Sequence, residues 1–380
     1  MKTTEKKKSG LAAIFFLCPG RNSILLLSTF AVLLHLALRG NGALMERLSA
    51  RYVRPAHRAL ALLSSRLPFS LAEALIVLAV VSTLCYIVLC LVRLIKGTGS
   101  RGALLYRLLA APLALVLAVY ALFCLLWGIF FYGDDFVERA GLETAPVSTA
   151  QLREVTAYFA ALANEYCDDV PRDAAGVCAS DRAAVLSRSA GVYDNVEKLF
   201  PVLEGPDVPV KGIFFSRFLS YLDFTGFFFP ITGEANVNTD FPPSLFASTV
   251  THEISHQRGV AKEQEANFVA VLAGLESGDA DYCYSAALLG YTHLGNALAA
   301  ADREAWLEIY GSLDSRVLAD FAANRDYWQQ FETVVQTVSN TVYEGFLHSY
   351  DQHLGLKSYG ACVDLLVNYY YAAASAANQD

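Results

Sequence analysis

Two histidines and a glutamate in this sequence have a spacing that suits metal chemistry. His252 and His256 are four residues apart, and Glu253 directly follows the first of them. In a helix, residues four apart lie on one face, one turn apart, so both imidazoles can bind one Zn²⁺. Glu253 then lies where its carboxylate can take a proton from a water on that zinc. The pattern predicts a zinc site with Glu253 as the general base.

A catalytic zinc needs a third protein ligand, and two residues are candidates for it. Gly259 can end the helix of the histidines, and residues 261–275 predict a second helix. Glu263 and Glu265 both lie near the start of that second helix. Because they are two positions apart, they point in different directions and only one can face the metal. The spacing alone leaves both open.

Further residues are candidates for substrate contact and for stabilising the transition state. The segment 232–238, which reads TGEANVN, predicts a sheet edge that holds a peptide substrate through Gly233, Glu234, Ala235 and Asn236. An ordinary turn-rich connector is the alternative for this segment. Three later side chains could polarise the reacting carbonyl: Tyr359, His353 and His293. Tyr359 is taken as the catalytic candidate.

The apolar residues predict how this chemistry is held at a membrane. The chain has 380 residues, of which 54% are apolar. Long apolar runs lie at about 21–39, 71–94 and 108–132, and each predicts a membrane-spanning helix. The first run follows a basic leader, but no small-residue cleavage site follows it, which favours a retained helix over a signal peptide.

Charge divides the chain at the same place. Residues 1–132 carry fifteen Lys and Arg against three Asp and Glu, whereas residues 133–380 carry fourteen against thirty-four. The lysines and arginines beside the spans predict a cytoplasmic tail over 1–20, an anchor over 21–132 and an extracytoplasmic domain over 133–380. Arginines that recur at helical spacing over 47–66 predict an interfacial helix on the outer surface. The acidic domain argues against a nucleic-acid partner.

The domain itself reads as mainly α-helical with a small β-sheet. Helical patterns occupy 150–200, short strands and turns are expected within 191–243, and helices return after Pro243, with one long helical stretch over 314–342. Four cysteines in an oxidising compartment permit two disulfides, most simply Cys167–Cys178 and Cys283–Cys362. Free thiols are the alternative.

The zinc motif resembles that of the gluzincin metallopeptidases. Those proteins carry HExxH and, on a following helix, an E-x-x-A-[ND] element whose glutamate is the third zinc ligand. The resemblance implies that Glu263 is this ligand, with Ala266 and Asn267 completing the element. It also implies that Asn267 orients a ligand through a hydrogen bond.

A resemblance over nearly the whole chain points to a bacterial multi-pass family known as domain of unknown function thirty-eight ten. Its motifs are matched here by Pro68-Phe69-Ser70 with Glu73, by residues 226–238, by residues 252–268 and by Ser358-Tyr359-Gly360. The resemblance implies three N-terminal spans, an outer domain and peptidase-like chemistry.

The sequence therefore predicts a membrane-anchored zinc metallopeptidase acting on a peptide or protein substrate. Two other functions stay open. One is a membrane sensor or scaffold whose outer domain binds a ligand, with or without zinc, and performs no hydrolysis. The other is a metal-dependent hydrolase of a bond other than a peptide. In a purely structural interpretation of the motif, the two histidines are surface or capping residues.

Overall fold

Three apolar helices form the N-terminal part of the computed structural model, which describes residues 16–350 and 359–377. They are α1 (Pro19–Leu38), α4 (Leu71–Ile95) and α5 (Arg101–Leu126), and within the described residues these are the helices long and apolar enough to cross a membrane. The predicted third span extended to Tyr132. The structure ends α5 at Leu126 and continues as a short 3-10 turn, Gly128–Phe131. Residues 1–15 of the predicted tail lie outside the described residues.

The arginine-rich connection between the first two apolar helices is helical, as predicted. It consists of α2 (Gly42–Leu48), a π-helical turn over Ser49–Val53 and α3 (Arg54–Ser64). Arg54 forms an ion pair with Glu46 at 3.0 Å, which joins α3 to α2.

Helices make up most of the second part of the chain, as the patterns predicted. In chain order they are α6 (Phe136–Ala140), α7 (Thr149–Tyr166), α8 (Arg182–Arg188), α9 (Val196–Leu199), α10 (Ser216–Tyr221), α11 (Phe246–Gln257), α12 (Glu263–Glu276), α13 (Ala280–Ala301), α14 (Arg303–Tyr310), α15 (Ser315–Gln329), α16 (Val334–Ser349) and α17 (Tyr359–Ala377). The hydrophobic core lies where α7, α12, α13 and α17 pack together.

Two details of this part differ from the expectations. The helical stretch predicted over 314–342 is two helices, α15 and α16. The first ends at Gln329, and Thr333 caps the start of the second by accepting from the Gln336 amide. The disulfide expectation is wrong in this structure, in which the cysteines are free thiols. The four cysteines of the predicted disulfides are buried, and two of them contact polar groups: Cys178 lies 3.3 Å from the Ser180 hydroxyl, and Cys283 donates to the Gly274 carbonyl.

The short strands expected before Pro243 form one three-stranded sheet. Its strands are β1 (Lys211–Gly212), β2 (Gly226–Phe229) and β3 (Glu234–Val237), in the spatial order β1-β3-β2. Strand β3 pairs in parallel with β1 and antiparallel with β2, with Phe228 opposite Ala235. The central strand is therefore β3, and β2 lies at an edge.

Side chains of β3 hold the start of the second apolar helix. The Glu234 carboxylate accepts from the amides of Leu71 at 3.0 Å and Ala72 at 2.7 Å, and Asn236 accepts from the Ser70 hydroxyl at 2.6 Å. The first amides of a helix lack internal partners and favour negative charge, so a buried carboxylate here stabilises α4. The sheet and the apolar helix are thereby joined into one unit.

Candidate metal centre and catalytic cleft

Helices α11 and α12 bring the predicted metal ligands together. Gly259, with a φ of +83°, lets the chain reverse after α11, and its amide donates to the His256 carbonyl. Glu263, the first residue of α12, then faces both histidines. Its Oε2 lies 3.3 Å from His252 Nε2 and 3.7 Å from His256 Nε2. The three ligand atoms lie within 4.8 Å of one another.

This arrangement fits a tetrahedral zinc ion. Ligands about 2.0–2.1 Å from such an ion lie roughly 3.3–3.5 Å from each other, close to the separations seen here. The other ring nitrogens are already engaged: His252 Nδ1 lies 3.0 Å from Asn267 Oδ1, and His256 Nδ1 lies 2.7 Å from the Val260 carbonyl oxygen. Since each Nδ1–H donates to an oxygen, each Nε2 lone pair is left for a metal. Asn267 thus has the orienting position that the resemblance implied.

The alternative third ligand, Glu265, points away from the histidines. Its carboxylate is buried and accepts from the amides of Phe136 at 3.0 Å and Val137 at 3.5 Å, so it caps the start of α6. Burial, followed by the charge of Asp135, raises the pKa of Glu265 to about 7. Of the two candidates, Glu263 is therefore the one placed to bind a metal together with the histidines, and Glu265 has a structural role.

Two of the ligand side chains interact strongly when no metal is bound. Burial alone would lower the pKa of His256, but the adjacent Glu263 carboxylate outweighs it and raises the pKa to about 9. Burial acts in the opposite direction on Glu263, and the two imidazoles hold the pKa of its carboxyl well below the usual range. At neutral pH the metal-free site therefore holds a proton on His256.

Glu253 lies beside the ligands with a free oxygen in the cleft. The side chain is almost fully buried, and its Oε2 has no hydrogen-bond partner among the described residues. Burial raises the pKa of this carboxyl to about 7, against the opposing effect of His252 and His256. A carboxylate with an unsatisfied buried oxygen and a pKa near neutrality is suited to exchange a proton with a water in the cleft.

A glycine on β2 makes room for this carboxylate. A Cβ at Gly226 would lie 2.6 Å from Glu253 Oε1 and 2.8 Å from the Asn236 carbonyl oxygen. The second contact is to backbone, which cannot move aside as a flexible side chain can. The absence of a side chain at Gly226 therefore leaves the space that the Glu253 carboxylate occupies.

On the hydrolytic chemistry that the sequence predicts, we expect Gly226→Ala to reduce hydrolysis at least about tenfold, because a shift of roughly 1 Å in a catalytic group is costly. Zinc content should stay that of the wild type, since the atoms nearest to a Cβ at Gly226 belong to Glu253 and Asn236, which are not predicted metal ligands. The measurement is the rate per bound zinc. Gly345→Ala is the matched control, because a Cβ there meets nothing within 4 Å. Equal rates for the two variants would contradict this positioning.

Tyr343 is a site residue that the sequence reasoning missed. It lies on α16, and its hydroxyl donates to Glu263 Oε1 at 2.7 Å, while Oε2 of the same carboxylate faces the histidines. Burial and the charges of Glu263 and Glu253 raise its pKa well above the usual range, so it stays protonated as a donor. No local motif marks this position, because Tyr343 is 80 residues from Glu263.

We expect Tyr343→Phe to weaken zinc binding about 10–100-fold, the usual effect of removing a group that hydrogen-bonds to a metal ligand. Competition with a coloured chelator measures this affinity. Tyr310→Phe, at a partly exposed position on α14, is the control. An unchanged zinc affinity in Tyr343→Phe would show that this hydrogen bond does not support the ligand.

The predicted substrate-binding segment has a different place from the one expected. Gly233, Glu234, Ala235 and Asn236 do not form an exposed edge: the strand they enter, β3, is central and buried, and its polar side chains bind the start of α4. The expectation of an exposed sheet edge is wrong, because the polar side chains of this segment bind the first amides of α4. The neighbouring strand β2 is the one that borders the cleft with a free edge.

Of the three candidates for an additional catalytic side chain, His293 is the one whose side chain the structure describes. His293 is buried on α13, and the described cleft walls do not include it. His353 lies outside the described residues. Tyr359 begins α17, and its side chain also lies outside the described part of the chain. The tyrosine in the described cleft walls is instead Tyr343, which is hydrogen-bonded to Glu263.

The metal centre opens into a cleft of about 640 Å³. Its walls come mainly from the end of α5, the loop and strand around β2, helices α11 and α12, and helices α15 and α16, with Leu289 of α13 and Phe241 adding to them. The size is that of a site for a small ligand or a short stretch of polypeptide.

Comparisons with known proteins place the chain in one family. No curated protein and no solved structure matches the chain significantly. A family model described as "Protein of unknown function (DUF3810)" matches residues 51–367, which include the connection α2–α3 in part, the last two apolar helices and the whole candidate site. This match covers most of the 380 residues, and the chain therefore belongs to the DUF3810 family.

Proposed function

We propose that the protein is a zinc-dependent metallopeptidase, held in the cell membrane by three spans, with its catalytic domain outside the cytoplasm. The observation that carries the proposal is the convergence of His252, His256 and Glu263, with Glu253 buried beside them and turned to the cleft. Nine of the fifteen lysines and arginines of residues 1–132 lie in or beside the predicted inner segments, against six at the outer end of the first span and in the loop after it, and this excess supports the orientation.

Zinc would be held by His252, His256 and Glu263, and when bound it would polarise a peptide carbonyl and lower the pKa of an attacking water. Glu253 accepts the proton from that water as the water adds to the carbonyl carbon. It then gives the proton to the amide nitrogen as the C–N bond breaks. Asn267 and the Val260 carbonyl keep the two rings in orientation throughout.

The free edge of β2 is suited to align the peptide. Main-chain groups of an edge strand can pair with an extended segment, which presents one peptide bond after another to the metal centre. Gly226, at the start of this strand, is in contact distance of Glu253. A peptide paired along β2 would thus have a carbonyl close to the general base, and this favours a peptide substrate over other hydrolysable bonds.

The proposal is tested by metal analysis of the purified full-length protein and of His256→Ala, combined with digestion of a broad peptide library. We expect close to one zinc per wild-type chain and much less in the variant. Peptide cleavage should stop on chelation and return when zinc is added. Stable zinc binding without cleavage of any peptide would instead favour the sensor or scaffold.

Zinc binding is expected to release a proton from the site. A ligand imidazole must be neutral, and the Glu263 carboxylate raises the pKa of His256 to about 9, so zinc and proton compete below that pH. The apparent zinc affinity should therefore rise about tenfold per pH unit from 7 towards 9 and level off above it. Calorimetry in buffers of different ionisation enthalpy counts the released protons. A pH-independent affinity would show that His256 is already neutral.

A further inference from the structure

The metal centre lies directly beside the end of an apolar helix. Trp127 follows Leu126, the last residue of α5, and its ring centroid is 5.7 Å from that of His256. The cleft wall continues down the same helix through Phe123 to Val119. With a rise of 1.5 Å per residue, Val119 is roughly 10 Å from the helix end. The cleft therefore reaches along the outer part of a proposed membrane span.

A second contact holds exposed aromatic side chains beside the start of α4. The amides of Phe214 and Phe215 donate to the carboxylate of Glu73, in the first turn of α4, at 3.0 and 2.8 Å. Their side chains are 85% and 53% exposed, and that of Phe218 is 61% exposed. Aromatic side chains held at the entry of an apolar helix fit the interfacial layer of a bilayer. These exposed rings fit a domain that rests on the lipid surface.

Helix α16 forms part of the cleft wall through Tyr343 and Phe346. Val334, Val338 and Val342 lie on one stripe at intervals of four residues, and each is more than half exposed. At its end, Tyr350 packs on Phe123 of α5 with ring centroids 5.4 Å apart. An exposed valine stripe on a helix attached to a membrane span is expected of a helix that lies in the interface.

The chemistry of the cleft suits an apolar stretch of polypeptide. Most of its described walls are aromatic and aliphatic, and they contain no lysine or arginine. Apart from the proposed zinc, a free C-terminal carboxylate would find no lysine or arginine partner in the described walls, which favours cleavage within a chain over removal of its last residue. Beside the metal, the edge of β2 offers main-chain pairing to an extended segment.

On the basis of the proposed peptidase function, we infer that the substrate is an apolar segment of a membrane-anchored polypeptide, cleaved close to its anchor. The segment enters from the lipid side, along the outer part of α5, and extends along β2. A soluble polypeptide would have to leave water and reach a cleft whose walls begin at the depth of the lipid.

The test uses the full-length protein reconstituted in liposomes with a designed substrate. One apolar cleavable segment, selected from the library digest, is fused to a single membrane-spanning helix through a spacer of about 5 or about 40 flexible residues. The segment is also presented on a soluble carrier protein. We expect the short-spacer substrate to be cleaved at least about tenfold faster than both others, and Glu253→Gln to cleave none.

The spacer comparison separates position from simple confinement. Confinement to one membrane raises the effective concentration of both anchored substrates, so on its own it would favour both. Equal cleavage of the short and long spacers, or efficient cleavage of the soluble carrier, would overturn the inference while the peptidase function stands. If the zinc-loaded protein cleaved neither these substrates nor the library, the peptidase function itself would fail.

A readout without catalysis locates the cleft. The chain has three tryptophans, and a variant with Trp306→Phe and Trp328→Phe keeps only Trp127. Lipids brominated near the headgroup should quench its fluorescence, because these bromines lie at the outer end of α5. The control keeps only Trp306, on α14 of the outer domain, and should be unaffected. Equal quenching, or none at Trp127, would place the metal centre away from the membrane and overturn the inference.

Discussion

Replacing Glu253 by glutamine is expected to leave zinc bound and to slow peptide hydrolysis by about 10²–10⁴-fold, the usual contribution of a general base. Glutamine has nearly the same volume, so the buried position beside Gly226 can accept it without a cavity. It cannot take up a proton at neutral pH, and this is the property the reaction needs. The ligands His252, His256 and Glu263 are unchanged.

The measurements are zinc content, the free energy of unfolding and the rate on the same peptide. Glu276→Gln is the matched control, because Glu276 is an exposed carboxylate at the far end of α12. It should behave as the wild type in all three. If Glu253→Gln hydrolysed peptide at the wild-type rate with full zinc content, Glu253 would have no part in proton transfer.

The same carboxylate gives the activity a lower pH limit. Glu253 acts as a base only when ionised, and burial raises its pKa to about 7 in the metal-free site. A bound cation would favour the ionised form and shift this limit downward. The wild-type rate should therefore fall on the acid side of its pH profile. The residual rate of Glu253→Gln should lack this fall, because the variant has no carboxylate to protonate at position 253.

Local spacing was sufficient to predict the parts of the site that lie on one helix. His252 and His256 share a face of α11 because residues four apart do so in a helix, and Glu253 directly follows the first of them. The apolar helices were predictable for a similar reason, since a span needs a continuous run of apolar residues. Both properties depend on residues close together in the sequence.

Features that depend on distant contacts could not be read in this way. The polar residues Glu234 and Asn236 look exposed in sequence, but they are buried because they satisfy the start of α4, more than 160 residues earlier. Tyr343 reaches Glu263 only because α16 packs across the cleft. A buried polar residue with a remote partner has the same composition as a surface one, so only the tertiary structure distinguishes them.

The choice between Glu263 and Glu265 depends on both local spacing and distant contacts. It leads to the second large expected effect. Both residues lie in the first turn of α12, so the sequence left both open. In the structure, one faces the histidines and the other caps α6. Replacing each by alanine should therefore damage different properties of the protein.

We expect Glu263→Ala to reduce zinc affinity by more than about 10²-fold, since even groups that only support a ligand are worth 10–100-fold. Peptide hydrolysis should disappear with the zinc. Glu265→Ala should keep its zinc and unfold more easily, because the buried amide of Phe136 loses its acceptor at a cost of about 1–3 kcal/mol. Chelator competition and urea unfolding of both variants measure the two effects.

The pair of variants decides the ligand set because the two outcomes are opposite in kind. Loss of zinc in Glu265→Ala with retention in Glu263→Ala would exchange the two roles and show that α12 turns when metal binds. Retention in both would leave two imidazoles without a protein carboxylate, a weaker site than a catalytic zinc uses. Loss in Glu263→Ala alone fits a site in which one carboxylate, held by Tyr343, completes the pair of imidazoles and leaves the cleft side open for water.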